Sequence, residues 1–216
     1  MDFRLNDIEV RVIGSLIEKE KTTPEYYPLS LNSLKNACNQ KSNRNPVITC
    51  EESEIEKAIE KLREKKFAVR RTGDDLRVPK FRQTFTETLN LTDKETAVLA
   101  VLMLRGAQTP GEIKGRTGRL YDFSSLEEVD EVLTALSIRE EPYIKKLSRL
   151  PGTKENRFVH LFSGEPDLES NKKGSEKDNE LAAPDEIEKL HEEINSLRSE
   201  LDNLRGEFEE FRKRFE

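Results

Sequence analysis

Tryptophan is absent from the 216 residues, and cysteine, histidine and methionine occur only twice each. Two cysteines, Cys38 and Cys50, with no CxxC spacing, exclude a disulfide framework and a thiolate zinc site. Both are expected to be reduced thiols, with Cys38 a small core residue on an apolar helix face. The histidines, His160 on a strand pattern and His191 in the tail, have no cysteine or acid cluster beside them in sequence. No nucleophile–base pair or metal-ligand set is therefore outlined. Gly106, Gly111, Gly115 and Gly118 form neither a GxGxxG nor a P-loop pattern. No run of eighteen apolar residues exists, and Met1-Asp2-Phe3-Arg4 lacks the core of a signal peptide. These absences predict a cytoplasmic, non-enzymatic chain without cofactor, metal, small-molecule ligand or membrane partner.

What is abundant is charge, 37% of residues against 34% hydrophobic. That is lean for one compact core and suggests a solvated extension. Basic and acidic residues nearly balance over residues 1–90 (net +2) and 91–164 (net 0), whereas 165–216 carries net −8. The overall charge of −6 is thus a property of the tail, and the front lacks the basic excess of a dedicated nucleic-acid binder.

An internal repeat organises the first 164 residues. At a shift of 86 positions, Leu5, Asp7, Glu9, Val12, Leu16, Thr23 and Pro24 recur as Leu91, Asp93, Glu95, Val98, Leu102, Thr109 and Pro110. Each copy opens with a capping box, Asn6 with Glu9 and Thr92 with Glu95, followed by apolar residues at helical spacing. Thr23-Pro24 and Thr109-Pro110 then signal a helix entry with proline at its first position. A short helix is expected over Leu31 to Asn39 and over Pro110 to Leu120. A third carries Ile55-Ile59-Leu62 or Val129-Leu133-Leu136 in the same 4-then-3 spacing. Strand pairs follow, Phe67 to Arg71 with Leu76 to Phe81, and Tyr143 to Leu147 with Arg157 to Phe162. Three helices and a β-hairpin make the winged helix-turn-helix layout. The expected fold class is mainly α with small β-hairpins (α+β), two tandem winged helices at 1–88 and 89–164 before a C-terminal coiled coil.

The stretch Thr22 to Leu34 (TTPEYYPLSLNSL), followed by Ala37 to Arg44 (ACNQKSNR), resembles the YceH-like family of bacterial proteins. Leu104 to Glu112 (LRGAQTPGE) and Arg157 to Phe162 (RFVHLF) match that family's second half. The resemblance spans residues 5–164. It implies tandem winged helices in a bacterial cytosolic protein, and it brings no activity with it.

Residues 165–183, rich in Ser, Asn, Lys, Glu, Gly and Pro, read as a flexible linker. Over 184–216, Pro184 opens a helix whose apolar residues are Ile187, Leu190, Ile194, Leu197, Leu201, Leu204, Phe208, Phe211 and Phe215. Their unbroken 3-4 spacing is the period of a left-handed coiled coil. With Ile187 at a, position g is Glu186, Glu193, Glu200 and Glu207, and e is His191, Arg198, Arg205 and Arg212. Opposite charges meet in a parallel pair and like charges in an antiparallel one, so a parallel homodimer is expected. The three phenylalanines leave a trimer or a phenylalanine-bound partner open, and a helix folded back on its own domains is the competing reading.

Candidate nucleic-acid contacts fall in two places. One is the segment after the second helix, Lys35, Asn39, Gln40, Lys41, Asn43 and Arg44; the other is the hairpins, Arg70, Arg71 and Arg77, then Lys145, Lys146 and Arg149. Loop capping by the amides and ordinary solvated charge are the alternatives at these positions. The third helices begin with Glu51, Glu52, Glu54 and Glu56, and with Glu127, Glu128, Asp130 and Glu131, which would crowd acids against phosphate. Two readings stand: a dimeric DNA-associated regulator, or a protein-interaction scaffold that uses those acidic helices.

Overall fold

A computed structural model describes residues 4–73, 77–149 and 155–165. The linker and the heptad helix expected over 165–183 and 184–216 lie outside them, apart from Glu165. The architecture is α+β, helices with two small antiparallel sheets.

Helix α1 (Asp7–Thr22) starts where the sequence places it: Asn6 accepts from the Glu9 backbone, and the Glu9 carboxylate returns to the Asn6 N–H. Strand β1 (Leu29–Ser30) leads into α2 (Leu31–Cys38), and α3 (Glu52–Glu64) buries Ile55, Ile59 and Leu62. Strands β2 (Ala68–Arg71) and β3 (Lys80–Gln83) form the first hairpin. After a single turn, α4 (Phe85–Thr88), the pattern repeats. Helix α5 (Asp93–Arg105) has the Thr92–Glu95 capping box, and α6 (Pro110–Thr117) has another, Thr109 with Glu112. Helix α7 (Leu126–Ser137) buries Val129, Leu133 and Leu136, and β4 (Ile144–Lys146) pairs with β5 (Phe158–His160).

Three details differ from the expectation. Thr23-Pro24 opens only a 3-10 turn, Pro24–Tyr26, and α2 is capped instead by Ser30. The second strand of the first hairpin begins at Lys80 rather than Leu76, because Pro79 has no N–H to give to a ladder. Strand β1 adds a third member, in the order β1-β3-β2 with Leu29 opposite Phe81. A single bridge, Gln108 opposite Phe158, occupies the same place in the second copy.

Both repeats belong to one compact unit. Helices α1 and α5 lie against each other at its centre, which explains why α5 is buried without interruption from Glu95 to Leu104. Their closest approach is at Gly14: a Cβ there would stand 2.9 Å from Leu104 Cγ. Helix α5 stops at Gly106, whose φ of 72° is costly for any residue with a side chain. The second repeat also closes back on the first. Phe85 packs edge-on between Phe67 and Phe162, with ring centroids 5.0 and 5.1 Å away, and Leu5 N–H donates to the Phe162 carbonyl at 2.6 Å.

Candidate nucleic-acid interface

The connection between α2 and α3 is held from inside. Asn39 closes it at both ends of Cys50, donating to its carbonyl at 2.9 Å and accepting from its N–H at 2.8 Å. Arg11, on the buried face of α1, donates to the carbonyls of Cys38 at 3.1 Å and Pro46 at 2.6 Å. Burial, reinforced by the neighbouring Arg44 charge, holds the Arg11 pKa below its usual value.

Arg44 is the centre of this arrangement. Only 6% exposed, it makes a bidentate pair with Glu18 at 2.6 and 3.0 Å and donates to the carbonyl of Ala37 and to Gln40 Oε1. Expected as a phosphate contact, it is a structural ion pair, because its five N–H groups are met by acceptors within the fold. Gln40 is spent on Arg44, Asn39 on Cys50, and Lys35 pairs with Glu51 at 3.3 Å. Asn43, with φ of 59°, accepts from Arg105 on α5. Of this segment's candidates, Lys41 stays exposed with no ion pair among the described residues.

The hairpin residues are placed differently. Arg70 and Arg71 are exposed on β2, opposite Phe81 and Lys80, and Arg77 is exposed beyond the loop. None of the three forms an ion pair among the described residues, whereas Arg82 on β3 meets Glu87 at 2.8 Å. In the second hairpin Lys145 pairs with Glu165, Lys146 Nζ lies 6.0 Å above the Phe158 ring, and Arg149 is exposed. Arg157 turns inward to the Ala107 carbonyl at 2.7 Å and to Glu112 at 3.1 Å.

The acidic third helices also separate on inspection of their partners. Glu52 and Glu56 are exposed on α3 without an ion pair among the described residues. Glu128 on α7 is engaged: it meets Lys94 at 2.7 Å and accepts from Ser124 N–H at 2.9 Å, which pull its pKa down to about 2. It fixes the start of α7 and is no free acid.

Nothing in the thiols or the imidazole suggests chemistry. Burial raises the Cys38 pKa to about 11 and that of Cys50 in the same direction, so neither is an activated thiolate. His160, its pKa pushed down to about 4 by burial, has an Nδ1 with no hydrogen-bond partner. Among the described residues no three His, Cys, Asp or Glu side chains gather as metal ligands, and no helix is long and apolar enough to cross a membrane.

Sequence reasoning missed Arg11 and Glu18. Arg11 had a signal, a cation inside the apolar run Val10 to Ile17; Glu18 had none, since its partner lies 26 residues away.

Residues 5–153 match the family model described as "Protein of unknown function, DUF480". A UPF0502 protein of Geobacter sulfurreducens is 52% identical over 168 residues, 78% of this chain and 76% of the relative. One from Geotalea uraniireducens is 54% identical over the same shares, and one from Aeromonas salmonicida 47% identical over 79% and 80%.

Proposed function

The chain belongs to the family described as "Protein of unknown function, DUF480", a description that names no activity, and from its own fold and surface charges we propose that it is a non-catalytic, DNA-associated protein. In this reading each repeat is a winged helix, and the duplex backbone is held by the hairpins while the third helices read no bases. The order of helices, the three-stranded β1-β3-β2 sheet and the Gln108–Phe158 bridge in the place of β1 support two winged modules.

The observation that carries the DNA reading is the exposure of Arg70, Arg71 and Arg77 without ion pairs among the described residues. Exposed cations so placed can release counterions from phosphate. The coiled coil expected over 184–216 would bring two such sets into one particle. Binding of a random duplex followed by mobility shift over a salt series tests this. Replacing Arg70, Arg71 and Arg77 together by glutamate should weaken binding at least about tenfold and flatten the log–log salt slope by about three for each set engaged. An unchanged slope would sink the hairpin contact.

A second reading rests on Glu52 and Glu56, exposed acids at the start of α3, which suit a basic protein partner and repel phosphate. Glu52→Lys with Glu56→Lys should strengthen DNA binding if α3 lies near the backbone. If instead α3 is a protein-docking face, DNA binding stays as it was and capture of partners from nuclease-treated lysate is lost.

A further inference from the structure

We propose that the cleft where the α2–α3 connection meets α5 and α6 binds a small phosphorylated molecule with an apolar body, of the nucleoside diphosphate class. The cleft has a volume of about 530 Å³, which lies in the range of small-ligand sites. It forms because the first repeat's connection lies against the second repeat's helix: Asn45 N–H donates to the Leu104 carbonyl at 2.9 Å, and Arg105 reaches Asn43.

Its electrostatics are one-sided. Lys19, Arg105, Arg116 and Arg119 line it, against the single carboxylate of Glu18. That carboxylate is held by Arg44 at 2.6 Å and lies 3.9 Å from Lys19, so one acid is shared between a buried cation and one of the four that line the cleft. Glu112, 4.0 Å from Arg116, is shared with Arg157 at 3.1 Å. Arg119 is exposed and forms no ion pair among the described residues. Guanidinium groups gathered in a concave site are suited to phosphate oxygens, which they bind through paired N–H groups.

The remaining wall fits the rest of such a ligand. Val101 and Leu104 of α5 and Leu120 beyond α6 give it an apolar side. Gly115 on α6 and Gly118 just past its end line the cleft, and a Cβ added to either meets nothing within 4 Å. Packing within the protein therefore does not demand glycine at either position, although glycine inside a helix, as at Gly115, costs about 1 kcal/mol relative to alanine. The bare backbone leaves room for a ligand. A duplex is a poor occupant, since a convex rod cannot enter a cleft that admits only a small molecule.

Isothermal titration of the full chain with ADP, inorganic pyrophosphate and adenosine tests the proposal. ADP should bind most tightly, pyrophosphate more weakly and adenosine weakest. Lys19→Glu with Arg119→Glu should weaken ADP at least about tenfold. Gly115→Val, which alters no charge, should weaken it too, with the helical circular dichroism retained. The hairpin variants at Arg70, Arg71 and Arg77 should bind ADP as the parent does, so failure of the DNA reading and failure of this one remain distinguishable. No heat from any probe at millimolar concentration, or undiminished ADP binding in the Lys19/Arg119 variant, overturns the site. So does adenosine binding as tightly as ADP, since phosphate would then not be what is recognised. Displacement of ADP by random duplex, with DNA binding lost in the same variant, would make the cleft part of a nucleic-acid surface and overturn the small-ligand assignment.

Discussion

Arg44 carries its charge into the interior, where Glu18 meets it through two hydrogen bonds. Removing one member of a buried pair leaves the other desolvated without compensation, so the deletion costs more than the pair contributes. Arg44→Ala is expected to lower unfolding free energy by about 3 kcal/mol in urea titration, and Arg44→Met with Glu18→Leu to recover most of it. DNA affinity per folded molecule should hardly change in either, since the side chain presents no donor to solvent. His160 sets a second expectation at this scale. Its folded pKa of about 4 lies below the ordinary 6.5, so above pH 6.5 it is neutral folded or unfolded and contributes no pH dependence. Below 6.5 the unfolded chain takes up a proton that the folded state refuses. Stability therefore falls as pH drops from 6.5 towards 4, by at most about 3 kcal/mol, and this contribution levels off below 4. Comparing urea midpoints of the parent and His160→Leu from pH 7 to 4 isolates it. Equal acid sensitivity in the two would show that His160 is not the group responsible.

Helices α1 and α5 meet where glycine allows it. At Gly14 the added Cβ would overlap Leu104 at 2.9 Å and press Met103 at 3.3 Å, so a branched side chain must push the two helices apart. Gly14→Val is expected to destabilise by about 1–3 kcal/mol, and faster amide exchange along α5 would locate the damage at the shared face. Gly115→Ala, in open space on α6, should move the other way by up to about 1 kcal/mol. The contrast explains what the sequence made legible. Capping boxes at Asn6–Glu9 and Thr92–Glu95 act over three residues, and the Ile55-Ile59-Leu62 and Val129-Leu133-Leu136 spacings act within one helix; all are local and all appear in the structure. Strand β1 is two residues long and owes its existence to β3, some fifty residues away, so no local pattern announces it. The candidate contacts fared by the same logic. Whether a cation is free or spent depends on distant partners: Glu18 removes Arg44 from the surface, while no carboxylate among the described residues pairs with Arg70 or Arg71.

For the whole molecule, the two repeats act as one body because Phe162 packs onto Phe85 and Leu5 hydrogen-bonds to Phe162. The heptad reading of 184–216 expects light scattering to give twice the 25.0 kDa chain mass, and a chain ending after Leu168 to be monomeric. Separating the two bodies should also cost DNA affinity, about a hundredfold at low salt, since the second contact is then no longer intramolecular. Charge decides between orientations. Replacing Arg198, Arg205 and Arg212 by glutamate sets acid against acid across a parallel seam and should dissociate the pair. Exchanging Glu193, Glu200 and Glu207 for arginine in the same chain restores opposite signs and should restore the dimer. An antiparallel seam matches g with g and e with e, so like faces like in the parent and in both variants, and the replacement of the three arginines alone would leave the pair associated.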